Sequence, residues 1–129
     1  MFQEASNDLM GKKSVLIVED DEGLMEALQE LLEMEGYTVL PAHDGLEALE
    51  ILETITPSVV LLDLRMPRMD GEAFARAAHQ RMRLRSLYII VMTANLYARQ
   101  TAFAVGADDF LAKPFDISTL LEKIEQAIG

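Results

Sequence analysis

The chain has 129 residues, half of them hydrophobic, which is enough for one domain with a substantial core and too short for two comfortable ones. Eleven Lys plus Arg against 22 Asp plus Glu give a formal net charge of -11, so its field repels nucleic-acid phosphates and anionic lipid, and neither direct nucleic-acid binding nor membrane insertion is expected. Cysteine is absent, which excludes disulfide frameworks, thiolate nucleophiles and Cys-based zinc sites, and with no basic-then-apolar leader and no apolar run near the roughly 18 residues of a membrane span the chain reads as cytoplasmic.

Residues 1–12 mix Gln, Glu, Ser, Asn, Asp, Gly and Lys without a sustained period and read as an N-terminal tail, so the folded domain is expected over 13–129. From Lys13 onward, short runs of Val, Ile and Leu alternate with longer amphipathic stretches, the pattern of repeated βα units. The first strand is predicted at 14–18, apolar on consecutive positions as a strand covered on both faces should be. A helix follows with Leu24, Leu28, Leu31 and Glu35 on one face, Glu22, Glu26, Glu30 and Glu33 toward solvent, and Gly36 as its left-handed terminator. The second strand is predicted at 37–40. Asp44 and Glu47, three residues apart, resemble a capping box and open a second helix that ends before Pro57. Strands at 59–62 and 87–92 flank a third helix, and a shorter run at 109–112 is the fifth strand. The last helix is predicted from Asp116 as N-cap, with Phe115 and Leu120 as a hydrophobic staple and Leu120, Leu121, Ile124 and Ile128 as one stripe. Right-handed crossovers then give an α/β fold with a doubly wound five-stranded parallel sheet, a (βα)5 three-layer sandwich.

Such sheets bind ligands in the crevice outside the carboxyl ends of their strands. Glu19-Asp20-Asp21 follow the first strand, Asp63 the third, Thr93 the fourth and Lys113 the fifth. Converging, partly dehydrated carboxylates are driven toward protonation unless a cation joins them, and a donor set made only of oxygen suits Mg²⁺, or Mn²⁺ in its place. Lys113 is a point charge suited to a phosphoryl oxygen and Thr93 a hydroxyl donor, so the set has the composition of a phosphoryl-transfer site. Taken singly, Asp21 reads as the cap of the following helix and Lys113-Pro114 as an ordinary turn. Four strand ends delivering complementary groups to one crevice is what singles them out.

The runs Val15-Leu-Ile-Val-Glu-Asp-Asp-Glu22, Val60-Leu-Leu-Asp-Leu-Arg-Met-Pro-Arg-Met-Asp-Gly71, Thr93-Ala94 and Gly106-Ala-Asp-Asp-Phe-Leu-Ala-Lys-Pro-Phe115 closely resemble the receiver domain of bacterial two-component response regulators, over about residues 13 to 128. The resemblance implies a flavodoxin-like, chemotaxis-regulator-like fold with strand order 2-1-3-4-5. It implies that Asp63 is the phosphoacceptor, that Asp20 binds Mg²⁺ directly with Glu19 acting mainly through water, and that the Arg65 backbone carbonyl adds a ligand. Lys113 would pair with the acceptor carboxylate and then with the phosphoryl group, Thr93 would close on a phosphoryl oxygen, and Phe110 would turn inward as the switch aromatic. Ala94 is small and keeps the path to Asp63 open. The implied partners are a histidine kinase or histidine phosphotransfer protein, docking near Leu24, Met25, Pro114 and Phe115, and a downstream protein reading the surface of the fourth helix, fifth strand and fifth helix. Phosphorylation-dependent dimerisation and phosphoryl lifetime stay open, the latter because Arg65 and Asn95 stand where receivers vary.

Every Arg lies between Arg65 and Arg99, and Arg76, Arg81, Arg83 and Arg85 are expected on or just after the third helix, as a solvated face. His43 and His79 lack partners at ligand spacing and read as surface histidines. The expected activity is self-catalysed phosphoryl transfer and autodephosphorylation, not turnover of a separate substrate. An aspartyl-phosphate phosphatase of the haloacid dehalogenase type would need an Asp where Arg65 stands. Two further alternatives are a receiver-like interaction module that works without phosphorylation, and the receiver piece of a longer regulator.

Overall fold

The computed structural model describes residues 13–64, 71–80, 87–94, 100, 103 and 106–128. The described elements run β1 (Ser14–Val18), α1 (Glu22–Met34), β2 (Thr38–Ala42), α2 (Gly45–Leu52), β3 (Val59–Asp63), α3 (Gly71–His79), β4 (Ile89–Thr93), β5 (Asp109–Ala112) and a C-terminal helix (Ile117–Ile128). Gln100 and Phe103, between β4 and β5, are also helical. The strands form one parallel sheet in the order β2-β1-β3-β4-β5, the predicted arrangement.

Period-2 side-chain alternation divides the apolar strand residues between two cores. Leu16, Val18, Val60, Leu62, Ile89 and Val91 face α2 and α3, meeting Ala48, Leu52, Phe74 and Ala78. Val15, Ile17, Leu61, Ile90 and Met92 face α1 and the C-terminal helix, meeting Met25, Leu28, Leu32, Leu120 and Ile124. Both faces are covered, which is why the runs are continuously apolar.

The helix ends follow local chemistry. Asp21 caps α1 by accepting the Leu24 N–H at 3.1 Å. At the other end Gly36 takes φ 95°, its N–H donates to Glu33 O and the Tyr37 N–H donates to Leu32 O, a Schellman closure. Asp44 accepts the Glu47 N–H at 2.9 Å, but Glu47 reaches back to the His43 N–H at 2.7 Å, one residue earlier than the capping box predicts. Phe115 and Leu120 pack into the same core, in keeping with the staple, and the Asp116 carbonyl accepts the Leu120 N–H.

Four expectations are corrected. The buried stripe of α1 is Met25, Leu28 and Leu32, with Leu24 and Leu31 on its margins and Glu35 exposed as the C-cap residue. The second strand lies at Thr38–Ala42 instead of 37–40, because Pro41 occupies the outer edge of the sheet, where a missing N–H removes no ladder bond. The fourth lies at Ile89–Thr93 instead of 87–92, set by its register with β3, while β3 itself extends one residue to Asp63. The tail 1–12, Arg65, Asn95, Arg81, Arg83, Arg85 and the His79 side chain lie outside the described residues. Arg76 and His43 are exposed, as expected.

Candidate functional site

Because every strand is parallel, all five carboxyl ends open on one edge of the sheet, and the predicted residues meet there. Glu19 and Asp20 follow β1, Asp63 ends β3, Thr93 ends β4 and Lys113 follows β5. Glu19, Asp63 and Thr93 are buried at 1%, 7% and 2% exposure, while Asp20 stands open at the rim. One carboxylate oxygen from each of Glu19, Asp20 and Asp63 lies within 4.8 Å of the others.

Backbone contacts fix these positions. The Glu19 N–H donates to the Ala42 carbonyl, holding the turn after β1 against β2, and the Lys113 N–H donates to the Thr93 carbonyl, holding the turn after β5 against β4. The Lys113–Pro114 peptide is cis. Lys113 Nζ donates to Glu19 Oε1 at 2.9 Å and stands 3.7 Å from Asp63 Oδ2. The ammonium is therefore closer to Glu19 than to Asp63, the partner expected from sequence. Glu19 Oε2 accepts the Asp21 N–H at 3.2 Å. Burial nevertheless raises the Glu19 carboxyl above the usual carboxylate range; Lys113 and the Asp21 N–H oppose that rise and the Asp63 charge adds to it.

Three carboxylates face one ammonium, leaving two negative charges when all are ionised. Hard oxygen donors, clustered at this spacing and underneutralised by two charges, fit a divalent cation of the Mg²⁺ kind.

Phe110 is half-buried on β5 against the α2–α3 core. Of the residues expected to dock a partner, Pro114 is exposed, Leu24 and Phe115 are half-buried, and Met25, at 3% exposure, is part of the core against which Leu24 and Phe115 pack. Sequence reasoning assigned no part to Asp108, whose carboxylate accepts the Ile89 N–H at 2.9 Å while its own N–H donates to the Ile89 carbonyl. That reciprocal pair ties the entry of β5 to β4, and the Asp108-Asp109 doublet before an apolar run was its only signal.

A family model described as the response regulator receiver domain matches residues 15–125. The chain belongs to this family. Among relatives of the receiver, the response regulator MprA of Mycobacterium ulcerans (strain Agy99) is 40% identical over 116 residues, covering 85% of this chain and 47% of the relative. The chain thus spans about half the length of the curated relatives it matches. Two solved structures share the receiver's architecture. The receiver domain of sensor histidine kinase PA1611 from Pseudomonas aeruginosa PAO1, with a magnesium ion in its active-site cleft, has TM-score 0.86 at 30% identity, over 92% of this chain and 98% of that one. The response regulator TrrA of Thermotoga maritima, in complex with Mg(2+)-BeF, has TM-score 0.81 at 30% identity, over 89% and 98%. Among the described residues no helix is long and apolar enough to cross a membrane.

Proposed function

We propose that this receiver is a Mg²⁺-dependent phosphoacceptor switch that takes phosphate from a histidine kinase or histidine phosphotransfer protein onto Asp63. The observation that carries the reading is the meeting of Asp63, at the end of the central strand β3, with Glu19, Asp20 and Lys113 in one cluster. The magnesium-containing relatives support the cation, and Mn²⁺ suits the same oxygen donors.

An Asp63 oxygen forms the new O–P bond as the P–N bond to the donor imidazole breaks and its electron pair stays on the ring nitrogen. Such transfers have loose transition states that ask for alignment and charge neutralisation. Lys113 moves its ammonium from Glu19 to the phosphoryl oxygens, and the Thr93 hydroxyl donates to one of them. Asp20 and Asp63 would hold the metal directly and Glu19 through water, and the metal would supply neutralisation of the charge on the transferring oxygens. The product carries more charge and more acceptor oxygens than the carboxylate it replaces, which draws in Thr93 and lets Phe110 turn inward. The surface around β5 and the C-terminal helix, with the helical segment before β5, changes for a downstream protein. The donor docks over Leu24, Pro114 and Phe115, with Met25 supporting them from below. The domain modifies itself and is not a turnover enzyme, and a cytoplasmic location fits this role.

Intact mass after incubation with Mg²⁺ and acetyl phosphate tests the reading. One phosphoryl adduct on the wild type, absent from Asp63→Asn and from an EDTA control, is expected. No adduct even in a rapidly quenched sample would overturn it in favour of a binding module that works without phosphorylation.

A further inference from the structure

We propose that Asp21 is a positioning residue for the acceptor site, one that ties the first turn of α1 to Glu19 and, through Glu19, to Lys113 and Asp63. Capping α1 uses the Asp21 carboxylate, which accepts the Leu24 N–H, and the Asp21 carbonyl, which accepts the Met25 N–H. The backbone N–H of the same residue is left to bond elsewhere, and it grips Oε2 of Glu19 at 3.2 Å. The other oxygen of that carboxylate holds Lys113 at 2.9 Å, and Lys113 stands 3.7 Å from Asp63. The contacts run without a break from Leu24 to Asp21, from Asp21 to Glu19, from Glu19 to Lys113 and from Lys113 to Asp63.

The geometry explains why a glutamate suits position 19. Its side chain folds back far enough for one oxygen to meet the N–H two residues on, while the other reaches across the crevice to β5. The cap holds Asp21 in an extended conformation, φ -78° and ψ 110°, at the start of α1, and in this position its N–H bonds Glu19. Without the cap the N–H turns away, Glu19 loses one of its two restraints, and Lys113 is released toward Asp63. An ammonium on Asp63 competes with a cation for the same carboxylate and covers the attacking oxygen.

The inference rests on the phosphoacceptor reading and is tested with two readouts, Mg²⁺ affinity by titration calorimetry and the rate of adduct formation from acetyl phosphate. Asp21→Ala is expected to lose roughly tenfold in both, the low end of what is usual when a partner of a ligating group is removed. Asp21→Ser and Asp21→Asn keep the cap acceptor without the charge and should stay within about twofold of wild type. If Asp21→Ala is too unstable to measure, Asp21→Gly, which helix N-termini tolerate, takes its place with the same expectation. Wild-type affinity and rate in Asp21→Ala, or losses as large in the Ser and Asn variants, would overturn the proposal, the second outcome assigning the effect to charge alone. A wild type that binds Mg²⁺ but takes no phosphate would instead refute the phosphoacceptor reading and leave the calorimetric comparison standing.

Discussion

A carboxylate survives burial only where protein donors replace the water it has lost, and Glu19 meets that condition with one ammonium and one backbone N–H. Glu47 shows the opposite shift at an exposed position, its carboxyl lowered chiefly by the His43 backbone N–H, with burial opposing. A carboxyl lowered on folding contributes stability that is present above its unfolded pKa and is lost as pH falls through the folded one. Glu47→Gln is therefore expected to destabilise the domain at neutral pH by roughly 0.5 kcal/mol, discounted because the side chain is 41% exposed, and the difference from wild type should vanish in melts at acid pH. At this scale much of the site was legible, because Asp63, Thr93 and Lys113 stand directly at the ends of apolar runs. The pairing of Lys113 with Glu19 was not, since it spans 94 residues and depends on which of two nearby carboxylates the ammonium reaches first. Nor was the bond from the Asp21 N–H, because a residue's side-chain type says nothing of where its backbone donor points.

At the scale of the element, termination of α1 depends on a conformation that side-chain-bearing residues avoid. Gly36 at φ 95° should make Gly36→Ala cost about 1 kcal/mol, read as a lower thermal midpoint, although nothing near it would clash with a Cβ. A variant as stable as wild type would show that the chain closes the helix another way. Gly36, the caps Asp21 and Asp44 and the run of β1 could be read directly, because each depends on residues within one turn or one strand, whereas the return bond from Glu47 goes to His43 in place of Asp44. Strand ends at β2 and β4 and the rotation of the α1 stripe could not. Register with a neighbouring strand decides the first, and the sheet's choice between Met25 and Leu24 as the inward residue decides the second.

For the whole molecule, a cation that binds only the folded state adds stability by mass action. Mg²⁺ at a hundred times its dissociation constant should add about 2.7 kcal/mol and raise the thermal midpoint by several degrees. Asp20→Asn, at the exposed position proposed to hold the ion, should remove that increment while leaving the metal-free melt nearly unchanged, and an equal increment in the variant would place the ion elsewhere. The layered architecture and the strand order followed from alternating apolar runs and family motifs; the division of each strand's side chains between two separate cores emerged only from the folded chain. Pro41 carries one more consequence. The Thr38 N–H donates inward to Lys13, so by alternation the nitrogen of Pro41 faces out from the free margin of the sheet, and it has no hydrogen to give. A second chain laid along that margin to lengthen the sheet would find a gap in the ladder, which guards the domain against fibrous growth from that side and directs its associations to side-chain surfaces instead.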